Sequence, residues 1–397
     1  MLMAAKPTAH IEPGAIRELP GIVRGTGADA VMIVTDAALA ATPVTGEVMA
    51  VLADAGIAVH VFSSVHPNPT TDDLAAGADA AAKTVAEPDG RRVALIAVGG
   101  GSPIDAAKGI AIAAVNPQRG RGLDYRNEFA VPALPIVAVP TTAGTGAETN
   151  AFGVVTDPQT HRKFYVGHAT SMPAAVILDA ELTVGLPRLV TAATGMDALT
   201  HALESYLSAR PNSWSDGIAL QVMRMVKASL PRAFDDGNDL LARSEMLLAA
   251  HMAGVAMANT GLGVCHAIGH SLGGRWNIAH GVTLTMVLPD VLRFNLPVRT
   301  ERMADIAFAL GVGDTGADKA RNAAAAIDAV AELRDRVGLT QRLPDFGITE
   351  ADYPRIAADA LDDEVLANAP RHPTTADIAA ILGLPVLHIG CPPDGEN

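Results

Sequence analysis

Histidine marks where chemistry gathers in this chain. Of its 12 histidines, His266, His270 and His280 share the stretch CHAIGHSLGGRWNIAHG, and upstream, in TGMDALTHALESY, Asp197 and His201 stand four residues apart. Residues i and i+4 share one face of a helix, so the upstream pair can aim a carboxylate and an imidazole at one point. A lone histidine is more often a satisfied core or cap residue. Together these donors supply enough neutral imidazole and carboxylate for one divalent cation. The chain has only two cysteines, Cys265 and Cys391. A thiolate zinc site is therefore excluded, and the set suits a catalytic Fe²⁺, Zn²⁺ or another divalent metal. Helical spacing by itself pairs His266 with His270, and says nothing of His280 beyond Gly273 and Gly274.

A second group of residues suits phosphate. VALIAVGGGSPIDAAKG, Val93–Gly109, runs from a β-branched segment through Gly99, Gly100, Gly101 and Ser102 into a helical pattern. Glycine lets backbone approach an anion, and a helix start offers free N–H groups and the positive end of the helix dipole. Pro103 suits the first helical turn, where its missing N–H costs nothing. The spacing is not GxGxxG, so the usual dinucleotide fingerprint fails, and a plain tight turn stays equally open. PTTAGTGAETN, Pro140–Asn150, offers the hydroxyls of Thr141, Thr142 and Thr145 to phosphate or ribose, or as caps. Asp36 closes an apolar run, where a carboxylate can bind ribose hydroxyls and repel a 2′-phosphate. It can equally cap the AALAAT segment that follows.

These residues need elements to hold them. Candidate strands are Ala30–Thr35, Ala58–Phe62, Val93–Val98, Pro135–Val139 and Ala175–Leu178, alternating with Ala-rich helical stretches. Buried apolar strands separated by helices predict a parallel sheet covered on both faces, with ligands beyond the carboxyl ends of the strands. From about Pro187 the pattern becomes helical: Ala192–Ser208, Ser215–Leu230, Asp239–Met257, His280–Leu292 and Asp318–Val337, with breaks at Pro211, Pro231, Gly261, Gly311 and Gly313. The expected organisation is an α/β domain over residues 1–184 with a Rossmann-like nucleotide site, then an all-helical domain over 185–397 that carries the metal donors.

A formal charge of −14, from 29 basic and 43 acidic residues, argues against nucleic acid or an anionic membrane as partner. The sparse cysteines point to a reducing compartment. The first residues lack the apolar core of a secretory signal, and no later run reads as a membrane span, so a cytoplasmic enzyme is expected.

The ordered motifs resemble the iron-containing (group III) alcohol dehydrogenases, relatives of glycerol dehydrogenase and dehydroquinate synthase. The resemblance runs through Val34–Asp36, PNPT at Pro67–Thr70, Gly99–Lys108, Pro140–Glu148, Leu189–Ala202, His266–Gly281 and the closing Ala369–Leu382. It implies a dehydroquinate-synthase-like fold with NAD and metal in the cleft between two domains. In that pattern Asp197, His201, His266 and His280 are the metal ligands, and His270 lines the pocket as a candidate proton relay. Asp36, Asn68, Gly99, Gly100, Gly101, Ser102, Thr141, Thr142, Thr145 and Lys163 fall on positions that contact the dinucleotide. Without the resemblance, Lys163 in HRKFYVGH reads as an ordinary exposed charge.

The reaction implied is hydride transfer between NAD and a small alcohol, diol or hydroxy acid and its aldehyde or ketone, with a metal ion lowering the pKa of the alcohol oxygen. A homo-oligomer, dimer or larger, follows from family habit. Asn150 replaces a smaller hydroxyl residue of many relatives, and Phe152 and Trp276 are expected to add aromatic walls or core. Cys265, beside a proposed ligand, is given no role. Two rival readings share the fold: a dehydroquinate-synthase-like lyase, which TGMDALTHA fits less well, and a hydroxyacid–oxoacid transhydrogenase that keeps its nicotinamide bound. A non-catalytic nucleotide-binding protein would need no Asp–His and triple-His set.

Overall fold

The computed structural model describes residues 7–86, 90–160 and 162–384, which leaves Cys391 outside. Eight strands occur in it: β1 Thr8–Ile11, β2 Ala30–Val34, β3 Ala58–Phe62, β4 Val93–Gly99, β5 Ile136–Pro140, β6 Phe152–Asp157, β7 Arg162–Gly167 and β8 Ala175–Leu178. Every residue of β2, β4, β5 and β8 is buried, as continuous β-branched and Ala runs require when both sheet faces are covered. The six-stranded sheet has the order β1-β8-β5-β4-β2-β3 and is parallel throughout.

Five helices accompany the sheet: α1 Leu19–Gly25, α2 Ala37–Ala40, α3 Pro43–Asp54, α4 Thr71–Val85 and α5 Gly101–Ala113. Two apolar clusters form on the two faces of the sheet. Val31, Ile33, Ile96 and Val137 pack on one side, and Met32, Leu95, Ile104 and Ile110 on the other. Thr70 caps α4 with a full capping box, its side chain accepting from Asp73 N–H while Asp73 accepts from Thr70 N–H.

Two features go beyond the expected strands. β1 pairs with β8 at one edge. β6 and β7 form an antiparallel hairpin outside the main sheet, packed over α5.

Helices make up the rest: α6 Arg188–Leu207, α7 Ser213–Asp235, α8 Leu240–Thr260, α9 Val264–Trp276, α10 His280–Ala309, α11 Lys319–Arg336, α12 Tyr353–Leu361 and α13 Thr375–Ile381. Among the described residues no strand follows β8. Pro231, expected to break its helix, lies inside α7. That helix survives the lost hydrogen bond because tertiary packing holds it: Leu230 sits against Gly195 of α6, where a Cβ would come within 2.3 Å. The segment from His280 runs past the expected Leu292 to Ala309, bending at Arg299, whose φ −136° and ψ 21° are not helical. α8 is long and apolar enough to cross a membrane by composition, but 61% of its apolar window is buried, as in a core helix.

The sheet part and the helical part meet through the loop that follows β5. Gly146 has φ +58°, and a Cβ there would lie 2.6 Å from Gly254 Cα of α8. Any larger residue at either position would push the loop off the helices. The loop's position fixes Thr145 relative to α6 and α8.

Candidate active site

The buried face of α6 carries Asp197, His201 and Glu204 at i, i+4 and i+7. His266 lies in the first turn of α9, and His280 is the first residue of α10. The chain reverses between those helices at Asn277, which has φ 51°. Asp197, His201, His266 and His280 thereby each bring one donor atom within 4.8 Å of the others. From Asp197 Oδ1, the Nε2 atoms of His201, His266 and His280 stand at 3.4, 3.8 and 3.8 Å.

Asp197 Oδ1 and His266 Nε2 are buried without a hydrogen-bond partner. Unpaired groups of this kind are costly, and a cation at their centre would satisfy them. One carboxylate and three imidazoles, with no thiolate, are a donor set for Fe²⁺ or Zn²⁺.

The electrostatics suit such an ion. Burial pushes the Asp197 carboxyl up, but the surrounding imidazoles outweigh it and hold the group well below the carboxylate range. Burial drives His201 down to about 4 and His280 well below its ordinary value, so both keep free lone pairs. His266 goes the other way: burial lowers it, but the Glu204 carboxylate and Asp197 raise it to about 9. A cation binding there must displace a proton, so binding is coupled to pH.

Glu204 sets the orientation of His266. One of its oxygens takes His266 Nδ1 at 2.6 Å and Gly263 N–H at 3.0 Å; the other takes Cys265 N–H at 2.8 Å. With Nδ1 tied to a carboxylate, Nε2 is the nitrogen that faces Asp197.

His270 stays out of the four-donor set. Its Nδ1 pairs with Asp363 Oδ2 at 2.7 Å, and its ring stacks on that of His280 at 5.6 Å. Both rings face a cleft of about 1180 Å³ that also reaches Asn68, Gly101, Ser102, Thr145 and Lys163.

Behind that wall, a Cβ on Gly101 would come within 2.8 Å of Thr145 Cγ2, and one on Gly100 within 3.1 Å of Thr142 Oγ1. Gly99 has φ +146°, and Thr141 N–H donates to its carbonyl at 2.9 Å. Asp36 caps α2 through Oδ1, which accepts Leu39 N–H at 2.8 Å. Its capping use is therefore real, and it leaves the second oxygen uncommitted at the carboxyl end of β2. Asp36, Gly99, Gly100, Thr141 and Thr142 lie outside the cleft lining proper, at the same carboxyl edge of the sheet.

Comparison with known proteins places this architecture. The profile of the family described as iron-containing alcohol dehydrogenase matches residues 7–180, and that of the Fe-containing alcohol dehydrogenase family, C-terminal, matches residues 191–384. The chain belongs to the iron-containing alcohol dehydrogenase family. It is 37% identical over 378 residues to the NAD-dependent methanol dehydrogenase of Bacillus methanolicus, covering 95% of this chain and 97% of the relative. It is 35% identical over 383 residues to the lactaldehyde reductase of Escherichia coli K12, covering 96% and 98%. Among solved structures, a 1,3-propanediol oxidoreductase superposes with a TM-score of 0.90 at 36% identity, covering 96% of this chain and 99% of that one.

In this alcohol dehydrogenase chain, Lys163 is not the exposed charge that its local sequence suggests. It is half-buried on β7 and donates to Asn68 Oδ1 at 3.0 Å; burial brings its ammonium down to about 8 against the pull of Asp105, Asp363 and Asp197. Asn68, at φ 53°, donates in turn to Asn277 Oδ1 at 3.0 Å, which ties the sheet part to the helical part. Phe152 lines the cleft, whereas Trp276 packs against the helical core instead. Cys265 is buried; its backbone N–H donates to Glu204 and its thiol to the Leu284 carbonyl at 3.5 Å.

Sequence reasoning missed Glu204, Asp363 and Lys108. Glu204 had a usable signal, since it continues the Asp197–His201 stripe by one further turn. Lys108 is wholly buried. Its ammonium donates to the Ala147 carbonyl at 2.7 Å, to Asn150 Oδ1 at 3.1 Å and to the Phe152 carbonyl, pinning α5 to the cleft wall.

Proposed function

We propose that this enzyme transfers a hydride between NAD and a small primary alcohol, diol or hydroxy acid, giving the aldehyde or ketone. Asp197, His201, His266 and His280 hold a divalent cation, Fe²⁺ by preference. Asp36, Asn68, Gly99, Gly100, Gly101, Ser102, Thr141, Thr142, Thr145 and Lys163 hold the dinucleotide. The observation that carries this reading is an Asp–His₃ set, three of its four members buried, opening into the same cleft as Gly101 and Ser102 at the start of α5.

A bound cation supplies Lewis acidity to the alcohol or carbonyl oxygen. The chain's own residues do the rest. Glu204 fixes His266 in the tautomer that presents Nε2. Asp363 does the same for His270, leaving its other nitrogen to carry a proton between the cleft and solvent. The loop after β5, clamped against α8 by Gly146 and Gly254, keeps Thr145 and His201 in one frame, which hydride transfer over roughly 3–3.5 Å requires.

The remaining readings extend this one. A unit boundary at residues 184/185 is supported by its position in the link between β8 and α6. Sparse cysteine usage supports a cytoplasmic setting, and a homo-oligomer completes the picture. The test is to strip the protein with chelator, restore Fe²⁺, Zn²⁺ or Ni²⁺ anaerobically, and follow free NADH with a panel of small alcohols. Turnover that survives chelation would sink the metal assignment, and oxidation without NADH release would favour a transhydrogenase.

A further inference from the structure

Tyr165 stands on β7 two residues beyond Lys163, so both side chains leave the strand on one face, and both line the cleft. Its backbone is pinned, opposite Val154 in the hairpin and with its carbonyl accepting Tyr125 N–H at 3.1 Å. The ring belongs to an aromatic wall: Tyr125 meets Tyr165 edge-on at 6.1 Å and Phe152 at 5.3 Å. Its hydroxyl, however, is buried with no hydrogen-bond partner among the described residues.

A buried hydroxyl left unpaired in a packed wall opposes folding unless a ligand or water answers it. Burial and the neighbouring carboxylates of Asp363 and Glu364 push the phenol well above its ordinary range, so it remains an O–H donor at any working pH. Contacts also locate it. Tyr125, edge-on to Tyr165, donates its hydroxyl to Glu364 Oε2 at 2.9 Å, and Glu364 follows Asp363, the partner of His270, so Tyr165 stands on the His270 side of the cleft. A group at that end of the cleft meets the reacting part of the contents.

We propose that the Tyr165 hydroxyl is a specificity determinant that donates a hydrogen bond to a second oxygen of the substrate. The cleft then takes small alcohols and aldehydes bearing an additional hydroxyl or carbonyl oxygen in preference to plain alkanols of the same length. An alkanol leaves the hydroxyl unpaired, and sites built around a polar contact discriminate against such analogues far better than apolar pockets do. This assignment rests on the alcohol dehydrogenase reading above.

The experiment compares metal-loaded wild type and Tyr165→Phe, an isosteric change whose fold is checked by its melting temperature. The readout is kcat/KM for the two propanediols against n-propanol, with the KM for NAD measured alongside. The wild type is expected to favour at least one propanediol by about tenfold or more. Tyr165→Phe should erase that preference while leaving n-propanol within about twofold. An unchanged diol preference in the variant, or none in the wild type, overturns the assignment. An equal loss on every alcohol with a raised KM for NAD also overturns it, because the hydroxyl then serves the cofactor. A wild type that oxidises no alcohol with metal and NAD supplied fails at the earlier step, and the parent reading falls with the assignment.

Discussion

Replacing Glu204 by Gln changes one buried carboxylate into an amide of the same shape, and its surroundings allow the consequence to be worked out. Three N–H donors converge on it: His266 Nδ1 and Gly263 on one oxygen, Cys265 on the other. An amide has a single acceptor atom and cannot satisfy both sides. If the amide oxygen takes the His266 side, its NH₂ faces the Cys265 N–H and leaves a buried donor unpaired, a cost of about 1–3 kcal/mol in stability. If it turns round, its NH₂ donates to His266 Nδ1, the ring proton moves to Nε2, and the nitrogen facing Asp197 can no longer ligate. Either way the site holds metal less well, by about 10- to 100-fold in affinity, or about 1.4–2.8 kcal/mol. Anaerobic competition of wild type and Glu204→Gln against a chromophoric chelator measures this directly. A variant with wild-type metal affinity would refute the role given to Glu204, even if its melting temperature had fallen.

Two further perturbations address the cofactor side. Asp36→Asn keeps an oxygen to cap Leu39 N–H but removes the charge, so the ratio of kcat/KM for NAD over NADP should fall by about tenfold or more; an unchanged ratio, or a wild type that prefers NADP, counts against the ribose role. Lys163 is brought down to about 8 from 10.5, so it is charged below that pH and loses its proton as pH rises through it. The KM for NAD should therefore climb above about pH 8 in the wild type, move to higher pH in Lys163→Arg, and show no such limb in Lys163→Met; a limb that persists in Lys163→Met belongs to another group.

The sheet was legible because its central strands are continuous apolar runs ending in Gly, Pro or Asp, and period and punctuation agree there. β1 escaped because it is a four-residue edge strand whose sequence, TAHI, carries no turn signal of its own. The β6–β7 hairpin escaped for a different reason. Its strands are stabilised by packing over α5 and by the contacts of Asp105 and Lys108 with the Val154 and Phe152 backbone, all of them non-local. The same packing turns Lys163 from a surface charge into part of the cleft. Pro231 misled because local propensity is weak against the tertiary contacts of α7.

At the candidate site, the glycine turn and the Asp197–His201 pair were readable from spacing alone. The choice between His270 and His280 was not. Helical spacing favours His270, and only the reversal at Asn277 brings the start of α10 back onto α6. Asp363 was invisible to sequence reasoning, since it lies 93 residues from His270.

That choice is also where the account is most exposed. Metal content per chain, by elemental analysis of His280→Ala and His270→Ala prepared side by side under anaerobic loading with Fe²⁺ or Zn²⁺, needs no knowledge of the substrate. The Asp197–His201–His266–His280 set predicts that His280→Ala loses its metal, because three ligands hold the ion weakly. His270→Ala should keep close to one metal per chain while turning over more slowly or with a shifted pH profile. A loaded His280→Ala beside an empty His270→Ala would contradict the proposed centre.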